Sequence, residues 1–208
     1  VQSQKERYIP LFLLAPAILL MLLIVAYPVV QSIRLSFFDI SLLMPARAKF
    51  VGFRNYVEML HSETFYRALL NSIVWIIGCV STQFVVGMLG ALLLKCKFKG
   101  NGIIRGLTLI PWATSSVLVA LMWTWMLDGN YGVINDLLKR VGIIDSYIPW
   151  LAQPNTALGG VMIANIWQGA PFFAVMLLAA MQNVSEELYE AAYIDGANSW
   201  KQFWYITI

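Results

Sequence analysis

Two side-chain amides, those of Asn165 and Gln168, interrupt the last long apolar run of this sequence. Residues three apart share one face of a helix, so both amides are expected on the same side. Trp167 lies beside them, and Pro171 removes a backbone hydrogen bond and is expected to kink the helix. Ser115, in the preceding apolar run, adds a hydroxyl. Amides beside an indole can bind a sugar, or they can bond neighbouring helices, and the sequence leaves both interpretations open.

Residues that perform covalent chemistry are scarce. His61 is the single histidine, which excludes a metal site with two histidine ligands from this chain. It is also the one possible base for a Ser-His-Asp triad, and no nucleophile motif accompanies it. No lysine is followed by Ser or Thr, so the sequence has no Walker A phosphate loop. We therefore predict no catalytic residue, no metal site and no cofactor in this chain, and any ATP must be bound by another subunit.

The composition is typical of an integral membrane protein. Of 208 residues, 60% are apolar and only 12% are charged, whereas soluble domains carry about 25% charged residues. The mean hydropathy is +0.71. Too few charges remain to cover a soluble surface, and the net charge of +3 is too small to indicate a nucleic-acid partner. The lipid bilayer is the expected environment.

The elements that must position the amides follow from charge-free runs at 8–33, 68–94, 106–127 and 146–185. A membrane helix needs about 20 predominantly apolar residues. We predict an all-α, polytopic bundle of four transmembrane helices, with spans near 9–31, 69–94, 106–127 and 157–181. The stretch SYIPWLAQPNTALGG is interpreted as a loop before the last span, because it contains two prolines and several polar residues.

Basic residues predict the orientation of these spans. The loop 95–105 is rich in them (Lys95, Lys97, Lys99 and Arg105), and such short basic loops are typically cytoplasmic. The N-terminus then lies in the cytoplasm, and the loops 32–68 and 128–156 lie outside.

Several smaller features have structural interpretations. Each outer loop contains a predicted amphipathic helix, in FVGFRNYVEMLHSETFYRALL and in YGVINDLLKRVG. Small residues at Gly87 and Ala91 predict a helix-packing face. The helix in YGVINDLLKRVG has an apolar face, formed by Val133, Ile134, Leu137 and Leu138. Four tryptophans are expected to be interfacial anchors: Trp112, Trp123, Trp125 and Trp150.

A polar helix-turn-helix is predicted over residues 185–205, on the cytoplasmic side. Ser185 is a suitable N-cap, and Gly196 is suited to the left-handed position after a helix. The small Ala191 and Ala192 allow close approach of another surface, with Tyr189 and Tyr193 on a flanking stripe. We interpret the first helix as a docking element, the alternative being an interfacial helix on lipid. Its acidic residues disfavour anionic lipid.

The spacing within this segment carries a resemblance to a known family. Glu190-Ala191-Ala192, then three residues and Gly196, then nine and Ile206, then one and Ile208, resembles the EAA loop of ABC-importer permeases. Other stretches resemble the carbohydrate branch of that family, the maltose and glycerol-3-phosphate type: KFKGNGIIRGLTLIPW, DGNYGVINDLLKRVG and IWQGAPFF. The resemblance covers nearly the whole chain.

The resemblance implies a fold, a mechanism and partners. Residues 1–208 would form one permease transmembrane domain, C-terminally truncated relative to the family's usual six or so spans. The coupling residues would be Tyr189, Glu190, Ala191, Ala192, Tyr193, Asp195 and Gly196. Partners would be a second permease, two cytoplasmic subunits that bind ATP and Mg²⁺, and an extracytoplasmic solute-binding protein. The location would be a bacterial or archaeal inner membrane, and the solute a sugar or a related polar molecule.

Two other functions remain as alternatives at the sequence level. The chain could be a membrane anchor that docks an ATPase without transporting. It could also be an ion-coupled carrier, but no span centre carries an ionisable residue, and such carriers use these as coupling sites. The permease of an ATP-driven carbohydrate importer is therefore the leading hypothesis.

Overall fold

The structure is a computed structural model, and it describes residues 4–40, 48–96 and 99–207. Lys97 of the basic loop and Ile208 of the EAA spacing lie outside the described residues. The chain divides into two compact units, one up to Leu69 and the other from Leu70 onward.

The first unit contains a long helix with a π-helical segment. Helix α1 (Gln4–Met21) continues through Leu22–Ala26 into α2 (Tyr27–Leu35). Pro28 lacks an N–H and its ring crowds the preceding turn, and just before it the Tyr27 N–H bonds five residues back to the Leu22 carbonyl. Leu13–Leu35 is long and apolar enough to cross a membrane, which fits the predicted first span with a shift of about one helical turn toward the C-terminus.

A small hairpin and a short helix follow in the same unit. Strands β1 (Phe38–Asp39) and β2 (Lys49–Phe50) pair antiparallel, with two residues each, in a chain whose described residues are mostly helical, as the predicted all-α class requires. Helix α3 (Arg54–Leu60) packs beside them, and its Asn55 amide donates to the carbonyls of Ser36 and Phe38 at 2.9 and 3.0 Å. The helix predicted in FVGFRNYVEMLHSETFYRALL is therefore confirmed, although it ends at Leu60 and does not continue into the next helix.

In the second unit, two long helices pack tightly against each other. They are α4 (Glu63–Lys95), whose first seven residues belong to the first unit, and α9 (Pro154–Gln182). A side chain at Gly87 would put its Cβ 2.5 Å from that of Phe173, so only glycine permits this approach. The adjoining core contains Met88, Ala91, Leu94, Leu178 and Met181. The predicted small-residue packing face is confirmed.

The predicted third span is broken. It consists of α5 (Asn101–Thr108), α6 (Ile110–Ala113) and α7 (Ser116–Met126), and the two halves meet at 86°. The bend arises because Thr114 and Ser115 adopt extended backbone, with ψ of 139° and 132°. Among the described residues, three helices are long and apolar enough to cross a membrane, and this bent pair is a fourth candidate.

The start of α9 corrects the predicted loop before the last span. The helix begins at Pro154, and the residues up to Gly160 are helical. Proline is favourable in the first turn of a helix, because the N–H that it lacks would have no partner there. Helix α8 (Val133–Arg140) precedes it and confirms the helix predicted in YGVINDLLKRVG.

The C-terminal segment forms the predicted helix-turn-helix. Helix α10 (Glu186–Ile194) begins after Ser185, whose hydroxyl makes no capping hydrogen bond. Gly196, with φ of +78°, ends it, and the N–H of Ala197 bonds the Ala192 carbonyl at 2.9 Å. Helix α11 (Ser199–Gln202) is capped by the Asn198 side chain and continues into a π-helical turn, Phe203–Thr207.

Candidate solute path and coupling surface

The amide of Asn165 is bonded to a buried glutamine on another helix. Gln83, on α4, is 8% exposed. Its Nε2 donates to the backbone oxygen of Asn165 at 3.0 Å and to the side-chain Oδ1 at 2.9 Å. A helix–helix bond of this kind was one of the two sequence interpretations. Gln83 itself was missed, because its partner lies 82 residues along the chain and no local pattern links them.

Gln168 bonds to the break between α6 and α7. Its Nε2 donates to the Thr114 carbonyl at 3.1 Å and to Ser116 Oγ at 3.4 Å. The extended backbone at Thr114 removes this carbonyl from any helical hydrogen bond. Gln168 therefore supplies a donor at the point where the bent segment needs one.

Asn165 and Gln168 also line one cavity of about 200 Å³. Its wall is largely apolar and carries further polar or aromatic groups from Trp75, Ser116, Trp123 and Thr124. A few convergent polar groups in an apolar wall are typical of a small-molecule site. The two predicted amides thus meet at a concave surface within one unit of the fold.

The other two predicted solute-path residues lie elsewhere. Trp167 lines a neighbouring cavity of about 360 Å³, together with Pro171 and apolar residues. Its ring packs edge to face against Trp123, with centroids 6.0 Å apart. Ser115 serves as the N-cap residue of α7 and is exposed. The structure therefore brings Asn165 and Gln168 together, but not with Ser115.

Three of the four tryptophans expected as interfacial anchors divide into two groups by exposure. Trp125 is exposed, as an anchor should be, and Trp112 is half exposed and stacks on Phe172. Trp123 is buried at 8% exposure in a core with Val119 and Leu127, so the anchor interpretation was wrong for it. The continuous apolar run around Trp123 hid which face of α7 packs inward.

Asn135 organises the segment between α7 and α9. It is fully buried, with 0% exposure. Its Nδ2 donates to the carbonyls of Asp128 and Ile148 at 3.0 and 2.9 Å. Its Oδ1 accepts from Ile148 N at 3.1 Å and from Trp150 Nε1 at 2.9 Å. One side chain therefore cross-links three points of the segment.

The buried face of α8 differs from the predicted apolar face. Ile134 packs against the core beside Trp123, but Val133 and Leu137 are exposed. The most buried residue of the helix is Asn135, which the predicted apolar face did not include. Hydrogen bonding of the whole amide makes this burial possible.

Helix α10 presents a mixed acidic and apolar surface. Glu190, Ala191 and Asp195 are exposed. Tyr193 and Ile194 are 77% and 83% exposed, which is unusual for side chains of this size. The helix N-terminus carries Glu186 and Glu187, which suit its partial positive charge.

The opposite side of α10 is tied to the rest of the unit through Tyr189. Lys95 Nζ, in the last turn of α4, lies 4.4 Å from the centroid of the Tyr189 ring and 3.4 Å from its hydroxyl. The same hydroxyl shares a hydrogen bond of 3.0 Å with Thr207 Oγ1. The two predicted tyrosines therefore differ, because Tyr189 is a tether and Tyr193 faces outward.

In the described parts of the chain, no group of three or more His, Cys, Asp or Glu side chains could hold a metal ion. The polar groups of the cavity are neutral amides, hydroxyls and indoles, which suit hydrogen bonding to an uncharged polar molecule.

Comparison with known proteins identifies the class of this fold. The family described as binding-protein-dependent transport system inner membrane component matches residues 83–208. The chain belongs to this family, and its homologues are permeases of sugar ABC transporters. It is thus a multi-pass protein of the inner membrane.

Individual relatives agree with this assignment. The sulfoquinovosyl glycerol transport system permease of Agrobacterium fabrum is 36% identical over 98% of this chain and 65% of its own length. The trehalose/maltose transport system permease of Thermococcus litoralis is 31% identical over 98% of this chain and 68% of its own. The chain thus spans about two thirds of the length of these relatives.

Solved structures have the same fold. A chain of a bacterial ABC transporter that imports the acidic polysaccharide alginate superposes with a TM-score of 0.76 and 27% identity, covering 98% of this chain and 68% of that one. A chain of the alginate transporter bound to a pentasaccharide-loaded periplasmic protein superposes with a TM-score of 0.73 and 25% identity, covering 98% and 67%.

Proposed function

We propose that this chain is a membrane-spanning subunit that passes a sugar or related polar solute from an extracytoplasmic binding protein into the cytoplasm, driven by ATP. The observation that carries the proposal is the cavity at which Asn165 and Gln168 meet. Neutral amides with nearby indoles offer hydrogen bonds and flat apolar surfaces, which match the hydroxyls and the C–H faces of a sugar.

The proposed topology has four spans in one transmembrane domain over residues 1–208, with the bent pair as the third span. The N-terminus, the loop 95–105 and the segment 185–205 lie in the cytoplasm. The loops 32–68 and 128–156 face the binding protein. The basic residues of the loop between the second and third spans support this orientation.

The proposed coupling element is α10. Its exposed surface, with Glu190, Ala191 and Tyr193, is available to a partner. Tyr189 connects the other side to Lys95 at the end of α4, which in turn bonds to α9 through Gln83. A movement imposed on α10 would therefore reach the helices that line the cavity.

The proposed partners are a second permease, two ATP-binding subunits and a solute-binding protein. ATP and Mg²⁺ would be held by the ATP-binding subunits, and this chain would make no covalent bond to the solute. The periplasmic protein in the alginate transporter complex supports the binding-protein partner.

Two substitutions on α10 test the coupling role. In proteoliposomes containing the full assembly, we expect Glu190→Lys and Gly196→Trp to reduce uptake of radiolabelled trehalose and maltose at least tenfold. The first reverses a charge on the docking surface. The second forces a large side chain into a backbone with φ of +78°, which favours glycine. Membrane insertion should be retained.

The matched control is Asp145→Lys, a charge reversal at an exposed residue of the proposed outer loop. It should leave co-purification of the ATP-binding subunits unchanged, whereas Glu190→Lys should weaken it. Normal uptake together with normal co-purification in both α10 variants would contradict the coupling role.

A further inference from the structure

We propose that Gln83 is a positioning residue for the solute path, because it holds the Asn165 amide with its NH₂ group available to the cavity. The inference rests on the proposed function, since it assumes that solute passes this cavity. It concerns a residue of α4 that does not itself line the cavity.

The backbone determines which way both amides point. A backbone carbonyl can only accept a hydrogen bond, so the atom of Gln83 that lies 3.0 Å from the Asn165 carbonyl must be the donor Nε2. The same Nε2 lies 2.9 Å from the Asn165 side chain. That side chain must therefore turn its acceptor Oδ1 toward Gln83, which leaves Nδ2 for its other surroundings.

The same argument gives the Gln168 side-chain amide the opposite orientation. Its Nε2 faces the Thr114 carbonyl, so its free acceptor is Oε1. The cavity that both residues line therefore has one amide donor, from Asn165, and one amide acceptor, from Gln168, about one helical turn away. A vicinal pair of hydroxyls can accept from the first and donate to the second, which identifies a neutral polyhydroxylated solute as the best match.

Gly169 makes room for this arrangement. A Cβ at this position would lie 2.5 Å from Gln83 Nε2 and 2.7 Å from its Cδ. The glutamine amide thus occupies a notch in α9 that exists because residue 169 has no side chain. Since the crowded atoms are the end of a flexible side chain, Gly169→Ala should fold and displace the amide.

Packing alone does not require a glutamine here. The adjoining contacts between α4 and α9 are made by apolar and small residues such as Met88 and Ala91. Replacing a buried hydrogen-bonded pair by apolar groups of similar shape is often nearly neutral for stability. The burial of the Gln83 amide in a defined orientation is better explained by its effect on the orientation of the Asn165 side chain.

A double-mutant cycle between Gln83→Met and Asn165→Ala tests the proposal. The assembly is reconstituted with its binding protein, and radiolabelled trehalose uptake and ATP hydrolysis are measured together. We expect Gln83→Met to lower the trehalose moved per ATP about tenfold, which corresponds to one hydrogen bond of about 1.4 kcal/mol. In the Asn165→Ala background the same substitution should add little, and Gly169→Ala should reproduce the effect of Gln83→Met.

The readouts separate positioning from damage to the fold. Met88→Ala, in the same helix pair, removes packing without touching Asn165, and it should lower uptake and ATP hydrolysis in proportion. The positioning role would be overturned if the effects of Gln83→Met and Asn165→Ala on trehalose moved per ATP were additive. It would also be overturned if Gln83→Met left the trehalose moved per ATP unchanged. Neither result would contradict the proposed solute path. Full uptake by Asn165→Ala would overturn the solute path at Asn165, and the inference with it.

Discussion

At the scale of single residues, three polar side chains make hydrogen bonds that join different segments of the chain. Gln83 and Gln168 bond to residues 82 and 54 positions away in the sequence, and Asn135 bonds across 13 positions. In an apolar environment an unpaired amide costs several kcal/mol, so each of these side chains is tied to a specific partner. Such bonds give direction to helix contacts that apolar packing alone leaves free to slide.

The substitution Asn135→Leu should destabilise the second unit by about 3 kcal/mol, because it removes the partners of two carbonyls, an N–H and the Trp150 indole. Thermal unfolding of the detergent-solubilised assembly measures this change. Asn130→Leu, the same change at an exposed residue nearby, should shift the midpoint little. Equal midpoints for the two variants would refute the role of Asn135 as a cross-link.

At the scale of elements, the sequence predicted the long helices well and their breaks poorly. Charge-free runs define α4 and α9 because length and apolarity alone distinguish a membrane helix. The bend after α6 was missed, although Pro111 and the polar run from Thr114 to Ser116 were visible signals. The bend is also bonded to another helix, because Gln168 donates to the Thr114 carbonyl, and no local pattern reveals that contact.

Gln168→Leu should therefore destabilise the bent segment by about 2 kcal/mol, since it leaves the Thr114 carbonyl without its donor. Ser115→Ala, beside the same bend, should change stability by less than about 0.5 kcal/mol, because the Ser115 hydroxyl makes no capping bond. Thermal midpoints of both variants provide the comparison. A larger loss for Ser115→Ala than for Gln168→Leu would contradict this account of the bend.

At the scale of the whole molecule, family and membrane location followed from the sequence, while the cavity needed the structure. The EAA spacing predicted the family, which the comparisons confirm. Asn165 and Gln168 were predicted as solute-path residues because polar residues are rare in such a span. Trp75 and Trp123 were not predicted to line the cavity, and Gln83 was not predicted to bond to Asn165, because each of these residues lies on another helix. Residues that are distant in sequence are the part of a site that local patterns cannot predict.

The proposed orientation can be tested with the protein's own thiols. Cys96 is exposed and Cys79 is buried, so a Cys79→Ser variant leaves one accessible thiol, within the loop 95–105. A membrane-impermeant maleimide should label Cys96 in inverted vesicles and not in intact cells. A Ser146→Cys variant of the cysteine-free chain, in the proposed outer loop, should show the opposite pattern. Labelling of Cys96 from outside intact cells would reverse the topology.

The 86° bend also constrains how the chain enters the bilayer during synthesis. At 1.5 Å per residue, neither Asn101–Ala113 nor Ser116–Met126 is long enough to cross about 30 Å of hydrocarbon. The donor that pairs with the Thr114 carbonyl belongs to α9, which leaves the ribosome later. In the proposed topology, neither half of the third span can therefore cross the bilayer alone, and the Thr114 carbonyl gains its donor only once α9 has been synthesised.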